Sequence, residues 1–119
     1  TAAELAILMV LWEKGSCTVR DVHEQIGRPK GTSYTTTLKL MQIMDEKGLL
    51  KRDKKKRPHI YKAVHSQDQT QEFLVSDLIE RAFGGSTSEL VLHALSSKPA
   101  TKEELEEIRQ LLNELESGD

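Results

Sequence analysis

Residues 31–50, GTSYTTTLKLMQIMDEKGLL, leave the backbone few options. The run reads as a short loop, one helix of about fifteen residues, a glycine stop and the start of a strand. Ser33 suits the N-cap, because its hydroxyl can accept a free N–H of the first turn. Tyr34, Leu38, Met41 and Met44 fall on one stripe at helical spacing, and that face is expected to be buried. Thr32, Ser33, Thr35, Thr36, Lys39 and Gln42 fall off the stripe. They are small or amphipathic hydrogen-bonding residues, concentrated in the first half of the helix. A helix that lies in a DNA groove needs such a slim end carrying donors and acceptors. A Thr-rich solvated surface is the other reading of the same residues.

The chain before this helix supplies its context. Residues 3–14 form a first helix, with Leu5, Leu8, Met9 and Trp12 as a core-facing stripe that Ile7, Val10 and Leu11 widen. Gly15 ends it, and Ser16 and Cys17 can form a short bridge strand. Thr18, Val19, Arg20 and Asp21 make a capping-box start for a second helix, buried along Val19, Val22 and Ile26. Residues 27–31, GRPKG, are then a turn with two cations. Helix, short helix, turn, helix is the helix-turn-helix order, in which the last helix reads DNA.

Two strand-like runs follow, at residues 49–53 and 59–64, with Ile60 in one phase and Tyr61 opposed. Between them stand Lys54, Lys55, Lys56 and Arg57, then Pro58. Four like charges at a hairpin tip repel unless a counter-charge is expected, and phosphate is the natural one. The pattern is a β-hairpin wing beside the recognition helix, with a solubilising hairpin as the alternative. Thus residues 1–65 read as a winged-helix DNA-binding domain, and residues 66–119 as a helical region. The fold class is mainly α with a small β-hairpin wing.

In that second region Ser66 caps a helix reaching about Phe83, residues 84–86 break it, and residues 87–96 form a short helix. Thr101 and Glu104 open a last helix with a Leu105, Ile108, Leu112, Leu115 seam. Three short helices carry more apolar surface than this much chain can fold back over. Leu74, Leu78, Leu105, Ile108, Leu112 and Leu115 are therefore the expected homodimer contacts, unless the helices pack as a small bundle.

Charge divides the same way. Residues 1–64 carry 13 Lys+Arg against 7 Asp+Glu, a net +6; residues 65–119 carry 4 against 12, a net −8. A basic front and an acidic back place any polyanion on the front. The single cysteine, Cys17, excludes an internal disulfide and a cysteine metal cluster, and reads as a small buried hydrophobe. Histidines 23, 59, 65 and 93 have no ligand spacing, and no glycine-rich phosphate loop follows a strand. Neither an enzyme nor a metal or other cofactor is expected. No apolar run is long enough to span a membrane, so a soluble cytoplasmic protein is expected. A winged helix used only for protein–protein contact is the rival to DNA binding, and it would not need the cationic tip.

The segments ELAILMVLWEKGSCTVRDVHEQI, SYTTTLKLMQIMDEKGLLKRDKKKRPHIYKAV, FGGSTSELVLHAL and EELEEIRQLLNEL together resemble the penicillinase-repressor family of BlaI/MecI/CopY type. They span nearly the whole chain. The resemblance implies a homodimer whose N-terminal winged helices sit on an inverted-repeat operator in double-stranded DNA while the C-terminal helices intertwine. It implies repression of resistance or stress genes. Ser33, Thr35, Thr36 and Lys39 would then contact groove and backbone, and Arg57 would belong to the wing. With Thr32, Gln42, Lys55 and Lys56 these are the candidate DNA contacts. The chain departs from the family pattern at Ile43, where many members carry arginine. It departs again at Leu92-His93-Ala94, where protease-induced members carry Asn-Phe, and it lacks the cysteine cluster of the copper-responsive branch. The resemblance therefore assigns it no inducer or sensor partner.

Overall fold

A computed structural model describes residues 1–118. The chain forms two compact units, Thr1–Phe73 and the part from Leu74 onward. The first holds α1 (Ala2–Lys14), α2 (Val19–Val22), α3 (Tyr34–Glu46), β1 (Leu50–Asp53) and β2 (Ile60–Ala63), with the start of α4 (Gln67–Ala82). The second holds the rest of α4, α5 (Thr87–Ser97) and α6 (Lys102–Ser117).

Helix α1 packs on α2, α3 and β2. Its inward side is Glu4, Ile7, Leu8, Val10 and Leu11. The expected stripe is centred elsewhere: Leu5 is 38% exposed and Met9 51%. Apolar residues surround this helix, so spacing alone selects no face, and contact with three neighbouring elements decides it. Trp12 is partly buried, and its indole Nε1–H donates to the His65 carbonyl at 3.0 Å, satisfying the polar end of a large side chain.

Gly15, at φ +80°, ends α1, and Cys17 then exchanges two backbone hydrogen bonds with Tyr61. This bridge draws the hairpin onto the helices. Cys17 is buried, and that burial pushes its thiol pKa up, which leaves it an unreactive filler of the core.

Thr18 caps α2 as expected. Its Oγ1 accepts the Asp21 N–H, and the Asp21 carboxylate accepts the Thr18 N–H, each at 3.1 Å. The Thr18 backbone N–H, followed by the Thr18 side chain, stabilises the ionised carboxylate and holds its pKa below the usual value. Regular helix stops at Val22, widens into a π turn over His23–Gly27 and tightens into a 3-10 turn over Arg28–Lys30. Gly27, expected in a loop, is buried within this helical path. A Cβ there would stand 2.5 Å from His23 Nδ1 and 2.8 Å from Thr37 Oγ1. The space a side chain would need is already filled by the two segments crossing.

Thr37, Met41 and Met44 form the buried face of α3, with Leu38 and Leu40 partly covered. Tyr34, expected on that face, is 39% exposed. Thr37 lies directly in line with Met41 and Met44 (i−4 and i−7), and takes the inward place one turn from the helix start. The core closes around Ile7, Val22, Met41, Met44, Leu50 and Tyr61, all fully or almost fully buried.

The two strands pair antiparallel, with Leu50 opposite Ala63, Lys51 opposite Lys62, Arg52 opposite Tyr61 and Asp53 opposite Ile60. Alternation along the strands turns Leu50 and Tyr61 to the core and Lys51 and Lys62 to solvent. Element order and hairpin placement are those of a winged helix.

Helices α4, α5 and α6 start at Ser66, Ser86 and Thr101, each accepting a first-turn N–H through its side-chain oxygen. In the second unit Phe83 and His93 meet with ring centroids 5.5 Å apart. Among its described residues none is buried, while Leu74, Val75, Leu78, Val91, Leu92, Leu111, Leu112 and Leu115 are exposed. No helix of the described residues is long and apolar enough to cross a membrane.

Candidate nucleic-acid interface

The start of α3 is set by two local devices. Gly31, at φ +76°, reverses the chain out of the 3-10 turn, and the Thr32 N–H donates to the Gly27 carbonyl at 2.9 Å. Ser33 Oγ then accepts the Thr36 N–H at 3.2 Å and lies 2.9 Å from the Thr36 hydroxyl. A helix that begins this sharply presents its first turn at a fixed angle, which groove insertion requires.

From there α3 exposes Ser33, Thr35, Thr36, Lys39 and Gln42, with Thr32 half-buried. Thr35, Lys39 and Gln42 share one row, and Thr36, Lys39 and Ile43 share the next. Lys39 stands where the rows meet, and Ile43, 38% exposed, closes the back.

The expected contacts do not form a single pocket. Thr32 and Thr36 border a small recess with Ala3, Ala6, Ile26 and Lys30. Gln42 lies on the other flank, in a cleft of about 360 Å3 between α3 and the hairpin that Arg52, Pro58, His59 and Tyr61 also line. Lys55 and Lys56 are exposed at the hairpin tip. Arg57 folds back on the tip: Nη1 donates to the Lys54 carbonyl at 2.6 Å and to His59 Nε2 at 2.9 Å. At the hairpin base Arg52 Nε lies 3.3 Å from Asp45 Oδ2, close enough to pair but not aligned for a hydrogen bond. That pair ties the hairpin to the end of α3.

Sequence reasoning missed two residues of this surface. The Arg20 guanidinium carbon lies 5.4 Å from the centre of the exposed Tyr34 ring, and the His23 ring meets the same tyrosine edge-on at 5.7 Å. His23 Nδ1 in turn lies 3.3 Å from Thr37 Oγ1. Arg20, Tyr34 and Gln42 thus line the mouth of the cleft beside α3. Positions 20 and 34 lie fourteen residues apart across the turn, so no local spacing signals the stacking.

The surface is a slim polar helix row beside a cationic hairpin. It offers donors, acceptors and fixed positive charge. Among the described residues no group of three or more His, Cys, Asp or Glu side chains comes together as a metal site.

The chain is similar to known proteins. The chain is 31% identical over 117 residues to "Transcriptional regulator BlaI" of Mycobacterium tuberculosis, covering 97% of this chain and 83% of that one. It is 24% identical over 113 residues to "Penicillinase repressor" of Staphylococcus aureus, covering 95% and 90%. A solved structure described as overoxidized AbfR bound to DNA aligns at a TM-score of 0.44 and 22% identity, over 97% of this chain and 73% of that one. The family described as "Penicillinase repressor" matches residues 1–114, and on that match the chain belongs to the penicillinase repressor family of transcriptional repressors, which are not enzymes.

Proposed function

We propose that this chain represses transcription as a homodimer bound to an inverted-repeat operator, and that it controls resistance or stress genes in the cytoplasm. Thr32, Ser33, Thr35, Thr36, Lys39 and Gln42 would face the major groove, and Lys55, Lys56 and Arg57 the backbone. Leu74, Leu78, Leu105, Ile108, Leu112 and Leu115 would join the two copies. One observation carries the reading: the exposed polar row of α3 borders a cleft shared with the hairpin, whose tip bears three exposed lysines. Base edges need the first and phosphates the second. The exposed leucines of the second unit support pairing, since two copies present two reading helices to two half-sites. Names of relatives such as "Penicillinase repressor" support the choice of genes.

Selection of bound duplexes from a random DNA pool tests this. Recovery of one inverted repeat, with half-sites about a helical turn or a multiple of it apart, is the expected result. Recovery of unrelated sequences, or of none, refutes it.

A further inference from the structure

The solvent face of the hairpin carries charge that the half-site reading leaves idle. Lys51 stands directly opposite Lys62 in the ladder, and both are exposed. Like charges placed opposite each other weaken an antiparallel pair. Lys54, Lys55 and Lys56 continue the same electropositive surface at the tip. With Ser16, Arg52, Asp53 and Ile60, the five lysines line an open concavity of about 580 Å3. Asp53 is its single acid, and Asp53 Oδ1 is turned to accept the Lys55 N–H at 3.0 Å. Among the described residues none of the five lysines forms an ion pair.

This face points away from the recognition helix. Strand alternation puts Lys51 and Lys62 opposite in direction to Tyr61, which lines the cleft against α3, and to Arg52, which borders both hollows. From the lysine pair to the tip is three residues of strand, about 10 Å. The two strands hold the paired lysines about 5 Å apart at their Cα atoms. The result is a short cationic track that can straddle a single sugar-phosphate strand.

We propose that this outer face is a second phosphate-binding surface that grips the duplex flanking the half-site. The proposal rests on the reading that α3 enters a major groove. The tip then meets the neighbouring minor groove, and the outer face lies along the backbone forming that groove's far wall. Ammonium groups on flexible stems act as point charges, so the track adds affinity without sequence preference. An acidic peptide fits it less well, since the half-buried Ile60 is the one apolar anchor it offers.

The test uses the full chain carrying Lys51→Gln and Lys62→Gln, which remove the charge and keep most of each stem. Removing opposed like charges relaxes the ladder, so folding is preserved. Affinity is measured from 50 to 200 mM salt on two duplexes built on a half-site from the random-pool selection. One ends at the half-site edge, and the other extends about one helical turn beyond it. Wild type should bind the longer duplex more tightly, and the variant should lose that gain. On the longer duplex the log–log salt slope should fall by about 1.8, for two lost phosphates. The ratio of wild-type to variant affinity should therefore shrink about tenfold across that range. Preference for the selected half-site over random sequence should be unchanged. If the variant matches wild type in slope and affinity on both duplexes while wild type binds both, this inference alone fails. If it loses equally on the short duplex, the lysines act within the half-site and the inference fails too. If wild type binds neither duplex at low salt, the function proposed above fails with it.

Discussion

At Gly27 a single methyl group decides whether α3 can seat. The free space around its Cα ends at His23 and Thr37, two side chains that also touch each other. Gly27→Ala should therefore cost about 1–3 kcal/mol, as overpacking of a filled site does, and urea denaturation would measure it. An unchanged midpoint would mean that His23 swings clear without loss. Glu4 offers a second check. Its carboxylate is nearly buried and takes a 2.8 Å hydrogen bond from Lys47 Nζ, tying the start of α1 to the residue that closes α3. That bond holds the Glu4 pKa below its ordinary value. A depressed folded pKa gives stability that is present above the unfolded pKa and is lost as pH falls through the folded one. Lys47 is about half exposed, so the pair is worth no more than about 1 kcal/mol. The stability gap between wild type and Lys47→Ala should hold from pH 7 to about 5 and narrow below about 4. A gap independent of pH would show that Lys47 contributes by packing its stem.

Helix α3 and its hairpin were largely legible, because the signals that define them are local. Ser33 as cap, Thr18 with Asp21, Thr101 with Glu104 and the glycine stops each act within a turn of chain, and each is present. The inward faces were less legible. Tyr34, Leu5 and Met9 have the right spacing but lie toward solvent, because the direction of the core is set by neighbours distant in sequence. The stacking of Arg20 on Tyr34 is hidden for the same reason. On α3 the hydroxyls are not equally free: Thr36 is already paired with Ser33, while Lys39 is exposed where two rows meet. Lys39→Ala should accordingly weaken binding to the selected site by about 1–3 kcal/mol if the lysine reads a base. The loss on random DNA should be smaller, and fluorescence titration of the two duplexes would separate them. Equal losses would place Lys39 on the backbone.

Between them the two units differ in what they can hold unaided. The winged helix has an interior of its own, built on Ile7, Val22, Met41, Met44, Leu50 and Tyr61. The second unit has exposed leucines and no buried residue among those described. Leu112→Glu should yield a monomer in sedimentation at micromolar concentration, since each leucine buried at an interface is worth about 1.5–3 kcal/mol. Operator affinity should fall steeply and half-site affinity hardly at all, because the tether no longer supplies the second half-site. A variant that remains dimeric with unaltered operator affinity would place the interface elsewhere. The surplus of apolar surface on three short helices was legible from spacing, and Leu74, Leu78, Leu112 and Leu115 are exposed as it implies, whereas the partial cover of Leu105 and Ile108 was not, because burial depends on what covers a face.

If the three helices of the second unit, with no buried residue among those described, pair as proposed, the survival of the chain depends on its abundance. Pairing stabilises the folded form by mass action. Below the pairing concentration the second unit would then open readily and be exposed to proteases. Scarce chains are then cleared faster than plentiful ones. For a homodimeric repressor this converts a gradual fall in synthesis into an abrupt release of its genes, with no added sensor.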